Sequence, residues 1–178
     1  MGLYPKYTTT LSKMRPHKGY YEMNSSIFKQ KSSYWRVFAL CFFTAVLLFL
    51  PHCIIDAAAG GGYFHYAGDF NDQQINFYQY ANAFLKHGGS FSWATDLGSG
   101  FVNAYSFYLL GSPFFWLSML LPARLMPWAM VPLLCLKIAV AGGGGYLWAR
   151  RWVRDDTWSM LAGCLYAFSG FSIYNIFF

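Results

Sequence analysis

The feature that most constrains this fold is an apolar run near the N-terminus, VFALCFFTAVLLFLPHCII, at residues 37–55. The run is long enough for an α-helix to cross a bilayer, and Tyr34 and Trp35 precede it where interfacial aromatic residues are common. Only 11% of the chain is charged, against about a quarter of a soluble domain. Because lipid offers no hydrogen bonds to an open backbone, the sequence predicts an all-α, polytopic integral membrane protein.

Two further apolar runs predict transmembrane helices at residues 128–149 and 158–178. A short basic turn, residues 150–157, joins them and begins RRWVRDD. The chain ends inside the third run, which indicates an N-terminal fragment of a longer protein. The four cysteines are far apart in apolar surroundings, so we interpret them as packing residues.

Positive charge predicts the orientation of these helices. The net charge is +6. Residues 1–36 are predicted to form a polar, mobile tail that contains many Lys and Arg residues and one acidic residue, Glu22. A nucleic-acid-binding arm is the alternative for such a tail. A basic stretch beside a transmembrane helix instead favours the cytoplasm and anionic lipid, so we expect a cytoplasmic N-terminus, membrane lipid as a partner and no nucleic acid.

The apolar segment Ala104–Leu121 has two interpretations, because Gly111-Ser112-Pro113 interrupts it. If it crosses the membrane, the arginines of the basic turn fall outside. If it lies in the interface or re-enters, they fall inside with the basic tail, as the positive-inside rule prefers. The second interpretation makes residues 56–127 one large extracytoplasmic loop that carries amphipathic or re-entrant helices.

Within this loop, Asn71–His87 has the pattern of an amphipathic helix at the membrane surface. Asn71 and Gln74 have the spacing of a capping box. Four positions recur at helical period on its more apolar face, and the opposite face is more polar. The first set is Ile75, Tyr78, Asn82 and Leu85, and the second is Asp72, Gln73, Asn76, Gln79 and Lys86. The following segment, SFSWATDLGSGF, is predicted to be a loop rich in small residues, with Trp93 as an anchor at headgroup depth.

Asp69 is a candidate functional residue because it lies just before this helix. It is either a turn residue or a carboxylate at the boundary of water and membrane that can bind a metal, accept a proton or orient a sugar. Asp72 and Asp96 are further candidates.

Lys137 is unusual because it lies about 13 Å along the second predicted span from Trp128. An ammonium there should face the bundle interior, a polar cavity or an acidic partner, and a lipid phosphate would suit it. The alternative is snorkelling toward an interface. The glycines Gly142 to Gly145 below it favour close helix packing.

A series of short motifs across residues 68–171 resembles the YfhO family of bacterial membrane proteins, relatives of the GT-C glycosyltransferases. The motifs are GDFNDQ, GSFSW, YSFYLLGSPFFWLSMLLP, LLCLK and YAFSGF, in the family's order. The resemblance implies a GT-C-like polytopic enzyme of the bacterial cell membrane. Such an enzyme would move a sugar from a polyprenyl-phosphate carrier to a cell-envelope glycan acceptor such as lipoteichoic acid.

The resemblance also implies roles for individual residues. Asp69 would be the catalytic acidic residue of the first outer loop, with Gln73 as its companion, and Asp72 and Lys137 would help to bind substrate. No cofactor is certain, and a divalent metal is compatible with the site. Family members are several times longer, so this chain should be inactive alone. The alternatives are a transporter or lipid flippase fragment, and a small non-enzymatic membrane protein.

Overall fold

The computed structural model describes residues 18–61, 64 and 69–175, and most of them are helical. The helices are α1 (Lys18–Ala58), α2 (Asn76–His87), α3 (Phe101–Tyr105), α4 (Pro113–Ser118), α5 (Met126–Ala149), α6 (Asp156–Ala167) and α7 (Gly170–Tyr174). A π-helical turn, Phe70–Ile75, leads into α2, a second, Ser106–Leu110, continues α3, and a 3₁₀ turn, Ala123–Leu125, precedes α5. Two short antiparallel strands, β1 (Phe91–Ser92) and β2 (Ser99–Gly100), form a hairpin.

Two helical stretches are long and apolar enough to cross a membrane, Gln30–Ala58 and Ala123–Ala149. They contain the first two predicted spans, 37–55 and 128–149. Helix α1 begins at Lys18, so the predicted tail, residues 1–36, is helical over residues 18–36, whereas residues 1–17 lie outside the described part of the chain. Much of the apolar side-chain surface of α1 is exposed, as a lipid-facing helix requires.

The third predicted span, residues 158–178, is not one continuous helix over its described part. Helix α6 ends at Ala167, and α7 begins at Gly170. Ser169 lies between them with extended backbone angles, and its hydroxyl accepts a hydrogen bond of 3.2 Å from the backbone N–H of Ser172. A serine at this position stabilises a helix start, so the local hydrogen bond interrupts the apolar run.

Helices α1 and α5 are antiparallel, and a polar cluster joins them to α6 at one end. Ser33 of α1 donates to Asp156 Oδ2 at 2.5 Å, and Tyr146 of α5 donates to Asp156 Oδ1 at 2.9 Å and to the carbonyl of Gln30 at 3.5 Å. Arg150 forms an ion pair with Asp156 at 3.5 Å. The basic turn therefore lies at the same end of the bundle as the start of α1, as the charge argument predicted.

Three glycines allow the close approach of α1, α5 and α6. A Cβ at Gly142 would lie 2.5 Å from Cys41 Sγ, and one at Gly143 would lie 2.6 Å from the ring of Tyr34. A Cβ at Gly163 would lie 2.6 Å from the carbonyl oxygen of Gly142. These distances are too short for any side chain, so the predicted packing role is confirmed for Gly142 and Gly143 but not for Gly144, where an added Cβ would meet nothing within 4 Å in the described part of the chain.

Residues between α1 and α5 lie at the other end of the bundle. Phe49 and His52 of α1 contact the ring of Phe64 at centroid distances of 5.4 and 6.3 Å, and Phe64 contacts Phe70 at 5.7 Å. The segment predicted to be interfacial, 104–121, contains short helical pieces separated by a break at Gly111. None of these pieces is long enough to cross a membrane.

Candidate functional site

A helical rod made of the Phe70–Ile75 turn and α2, together with Asp69 directly before it, carries three of the four predicted site residues. Its inner face is apolar, with Phe70, Ile75 and Tyr78 buried. The ring of Tyr78 meets that of Phe115 on α4 edge to face at 5.5 Å. Burial of these side chains anchors the rod on the bundle and fixes which residues point outward.

The outer face of the rod agrees with the predicted polar pattern. Asp69, Asp72, Asn76 and Gln79 are exposed. The predicted capping box is wrong, however, because the helix begins at Phe70 and Asn71 lies within its first turn. Gln74, the other predicted partner, is 5% exposed and belongs to the buried face.

Asp69 and Gln73 are in contact. Gln73 Nε2 donates a hydrogen bond of 3.3 Å to Asp69 Oδ1, and Asp69 forms no side-chain cap on the helix. Within the described part of the chain, no other group bonds to the Asp69 carboxylate. One oxygen is therefore oriented by the amide, and the other faces solvent beside the positive end of a helix, where it can accept a hydroxyl proton or bind a cation.

Asp72 lies on the same exposed surface but makes a different local contact. Its carbonyl accepts a hydrogen bond of 3.0 Å from Asn76 Nδ2. Across the described residues, no three His, Cys, Asp or Glu side chains form a group that could hold a metal ion. Any divalent metal at this surface would need further ligands from water or substrate.

Lys137 points toward the bundle interior. Its Nζ lies 5.8 Å from the centroid of the Phe114 ring on α4, and the side chain is partly buried. A ring face attracts an ammonium, so this contact favours the predicted interior orientation over snorkelling. Lys137 forms no hydrogen bond or ion pair with Asp69, Asp72 or Gln73, all of which are described. The structure therefore brings Asp69 and Gln73 together, whereas Lys137 contacts Phe114 of α4.

Asn82 is an important residue whose role the sequence did not reveal. It is fully buried, and its Nδ2 donates to the carbonyls of Ser118 and Leu121 at 3.1 Å each. Lys86, one turn later, also donates to the carbonyl of Leu121. An amide on the apolar side of an amphipathic helix was the available signal. This clamp fixes the end of α4 against α2, and hence the position of the rod.

The segment 91–100 was predicted as a loop and is a β-hairpin. Its tip uses left-handed backbone angles at Asp96 and Leu97, with φ of +43° and +62°. Thr95 is buried and forms a 2.6 Å hydrogen bond with the hydroxyl of Tyr80 on α2. Trp93 is 82% exposed. The hairpin thus folds back along α2, so that its tip, with Asp96, lies at the level of Tyr80 while the indole of Trp93 is exposed.

Comparison with known proteins identifies one family. The sequence model described as bacterial membrane protein YfhO matches residues 40–178. No curated protein and no solved structure matches the chain. The matched region includes residues 40–58 of the first membrane-length helix, the whole of the second, the polar face of the rod and Lys137.

Proposed function

The chain belongs to the YfhO family of bacterial membrane proteins, and from this premise we propose that it contributes the acceptor-binding part of a membrane glycosyltransferase. The enzyme takes a sugar from a polyprenyl-phosphate carrier and attaches it to a hydroxyl of a cell-envelope glycan, with lipoteichoic acid as one such acceptor. In this proposal the N-terminus is cytoplasmic, and the rod lies on the outer surface of the bacterial membrane.

The observation that carries the proposal is the exposed carboxylate of Asp69, which Gln73 orients from one side. A sugar or glycerol hydroxyl is recognised by an acceptor oxygen and an amide placed side by side. The rod is also held against an apolar bundle, so the hydroxyl would be bound at the depth where a lipid-linked donor presents its sugar.

The reaction can be written with these groups in place. The acceptor oxygen forms a bond to the anomeric carbon, and the bond from that carbon to the carrier phosphate breaks, with its electron pair leaving on the phosphate. Asp69 accepts a hydrogen bond from the attacking hydroxyl, whose proton passes to water. Orientation by an exposed carboxylate and an amide is the main contribution that we assign to the pair.

Lys137 is proposed to stabilise the carrier phosphate. Lys137 belongs to α5, and its ammonium lies against the ring of Phe114. An ammonium within a membrane helix is a suitable group to stabilise the negative charge that develops on a departing phosphate. Asp72 would extend the acceptor surface along the rod.

A transporter or flippase remains a second candidate because of one specific observation. The apolar run after the basic turn is divided into α6 and α7. Discontinuous helices of this kind commonly line the substrate sites of transporters. Movement of the lipid-linked sugar across proteoliposomes, without transfer to an acceptor, would favour this function over the enzyme.

The test is Asp69→Asn in the gene product expressed from its own locus. Membranes are supplied with radiolabelled polyprenyl-phosphate sugar, and transfer to the glycan acceptor is measured. We expect a loss of about 10²-fold or more, since the carboxylate orients the nucleophile. Asp96→Asn is the matched control, because it removes a carboxylate from the exposed hairpin tip and asparagine tolerates left-handed backbone angles. Equal transfer by wild-type and Asp69→Asn membranes would remove Asp69 from the mechanism.

A further inference from the structure

An apolar groove of about 660 Å³ lies between α5 and α6 on the outside of the bundle. It is lined by Ala141, Gly144, Gly145 and Trp148 of α5 with Ala162 and Tyr166 of α6. It belongs to the half of the bundle that ends at the basic turn. The proposed sugar-transfer function makes no use of it.

Gly144 is the residue that distinguishes this groove from ordinary helix packing. A Cβ at Gly142 or Gly143 would collide with α1, and a Cβ at Gly145 would lie 3.1 Å from the ring of Tyr166. At Gly144 an added Cβ would have nothing within 4 Å in the described part of the chain. Glycine weakens a helix relative to alanine, so packing among the described helices does not account for its use here.

The groove ends at a positively charged and aromatic rim. Trp148 lines it, and the rings of Trp148 and Trp152 are 6.5 Å apart. Arg151 and Arg154 follow α5 directly, and both are exposed. Arg150, in contrast, is held by its ion pair with Asp156. An apolar channel that leads to exposed arginines matches a lipid acyl chain that leads to a phosphate.

We propose that this groove binds an anionic phospholipid of the adjoining leaflet. One acyl chain lies against Gly144 between the rings of Trp148 and Tyr166, and the phosphate lies at Arg151. A second copy of the chain fits the groove less well. Copies share one orientation in a membrane, so face-to-face grooves would bring two basic turns together, and the 66% exposed Trp148 would hold the helices apart.

The test measures which lipids stay bound. Wild-type protein is placed in nanodiscs containing equal amounts of phosphatidylglycerol and phosphatidylcholine, and retained lipids are identified by native mass spectrometry. We expect a bound phosphatidylglycerol that is lost in Gly144→Leu, whose side chain fills the groove. Val140→Leu is the matched control, since Val140 is exposed one turn before Gly144 and does not line the groove.

Charge is tested separately by Arg151→Gln, which leaves the groove open. The preference for phosphatidylglycerol should fall about fivefold, the contribution of one basic residue near an anionic surface. Arg124→Gln, an exposed arginine before the opposite end of α5, should not change it. Circular dichroism of each variant checks that the helices form. Equal retention of both lipids by the wild type, unchanged binding in Gly144→Leu, or a dimer in place of bound lipid would each overturn the proposal.

Discussion

Replacement of Asn82 by alanine should release the end of α4 from α2. The substitution removes two hydrogen bonds to carbonyls, those of Ser118 and Leu121, and a weak contact of Asn82 Nδ2 with Met126 Sδ at 3.9 Å. Each hydrogen bond to a carbonyl is worth about 1 kcal/mol. Both carbonyls keep another donor, the Leu121 N–H and the Lys86 ammonium, so neither is stranded.

Two smaller effects of the substitution have opposite signs. The truncated side chain leaves a void, which costs about 1 kcal/mol. Removal of Asn82 Oδ1 returns about as much, because this buried atom has no hydrogen-bond partner within the described part of the chain. The net loss is about 2 kcal/mol, or about a 30-fold increase in local opening.

Hydrogen–deuterium exchange in nanodiscs measures this opening directly. The N–H groups of Met119 and Leu121, both hydrogen-bonded at the end of α4, should exchange about 30-fold faster in Asn82→Ala. Asn76→Ala is the matched control, because the exposed Asn76 side chain bonds only within its own rod, to the carbonyls of Asn71 and Asp72, and its loss should leave exchange at Met119 and Leu121 unchanged. Equal exchange in the two variants would refute the clamp.

Two further predictions concern helix packing and pH. Gly142→Ala should destabilise the α1–α5 contact by about 1–3 kcal/mol, because its Cβ would lie 2.5 Å from Cys41 Sγ. Gly144→Ala should leave stability unchanged or raise it. Equal melting temperatures of the two variants in detergent would contradict the packing argument. Burial, and then the charge of Asp96, raise the pKa of Tyr105 above its ordinary 10.0. The protonated phenol therefore stabilises the fold below pH 10.0, and this stabilisation is lost as the pH rises through the higher pKa of the folded protein. In tyrosinate absorbance titrations referenced to Tyr105→Phe, Asp96→Asn should lower this pKa, and an unchanged titration would contradict the assignment.

The polar and apolar periodicity of residues 71–87 predicted most of the candidate surface. Ile75, Tyr78 and Asn82 are buried, and Asp72, Asn76 and Gln79 are exposed. The period of the helix decides which residues face the bundle, and this does not depend on the exact residue at which the helix begins. The start of the helix was predicted less well. A capping motif is a local signal, and burial of Gln74 with the apolar face overrode it.

The hairpin and the break between α6 and α7 were missed for different reasons. Two-residue strands are too short to show alternation, and the hairpin depends on Thr95 reaching Tyr80 on another element. The break lies at Ser169, whose hydroxyl caps the start of α7, and this cap can be recognised only when the backbone conformation is known. The long apolar run therefore predicted one continuous helix, whereas the structure has two helices with a local hydrogen bond at the start of the second.

By itself the sequence determined that two long apolar helices carry a polar surface helix between them, and that the basic turn returns to the end where α1 starts. These properties follow from segment length, periodicity and charge, which act within one element or across the whole chain. Only the tertiary structure decided that Gln73 orients Asp69, that Lys137 faces a ring of α4, and that Gly144 faces open space while Gly142 and Gly143 contact α1. Those outcomes depend on the rotation of each helix about its axis, which is set by side chains of distant segments packing against one another.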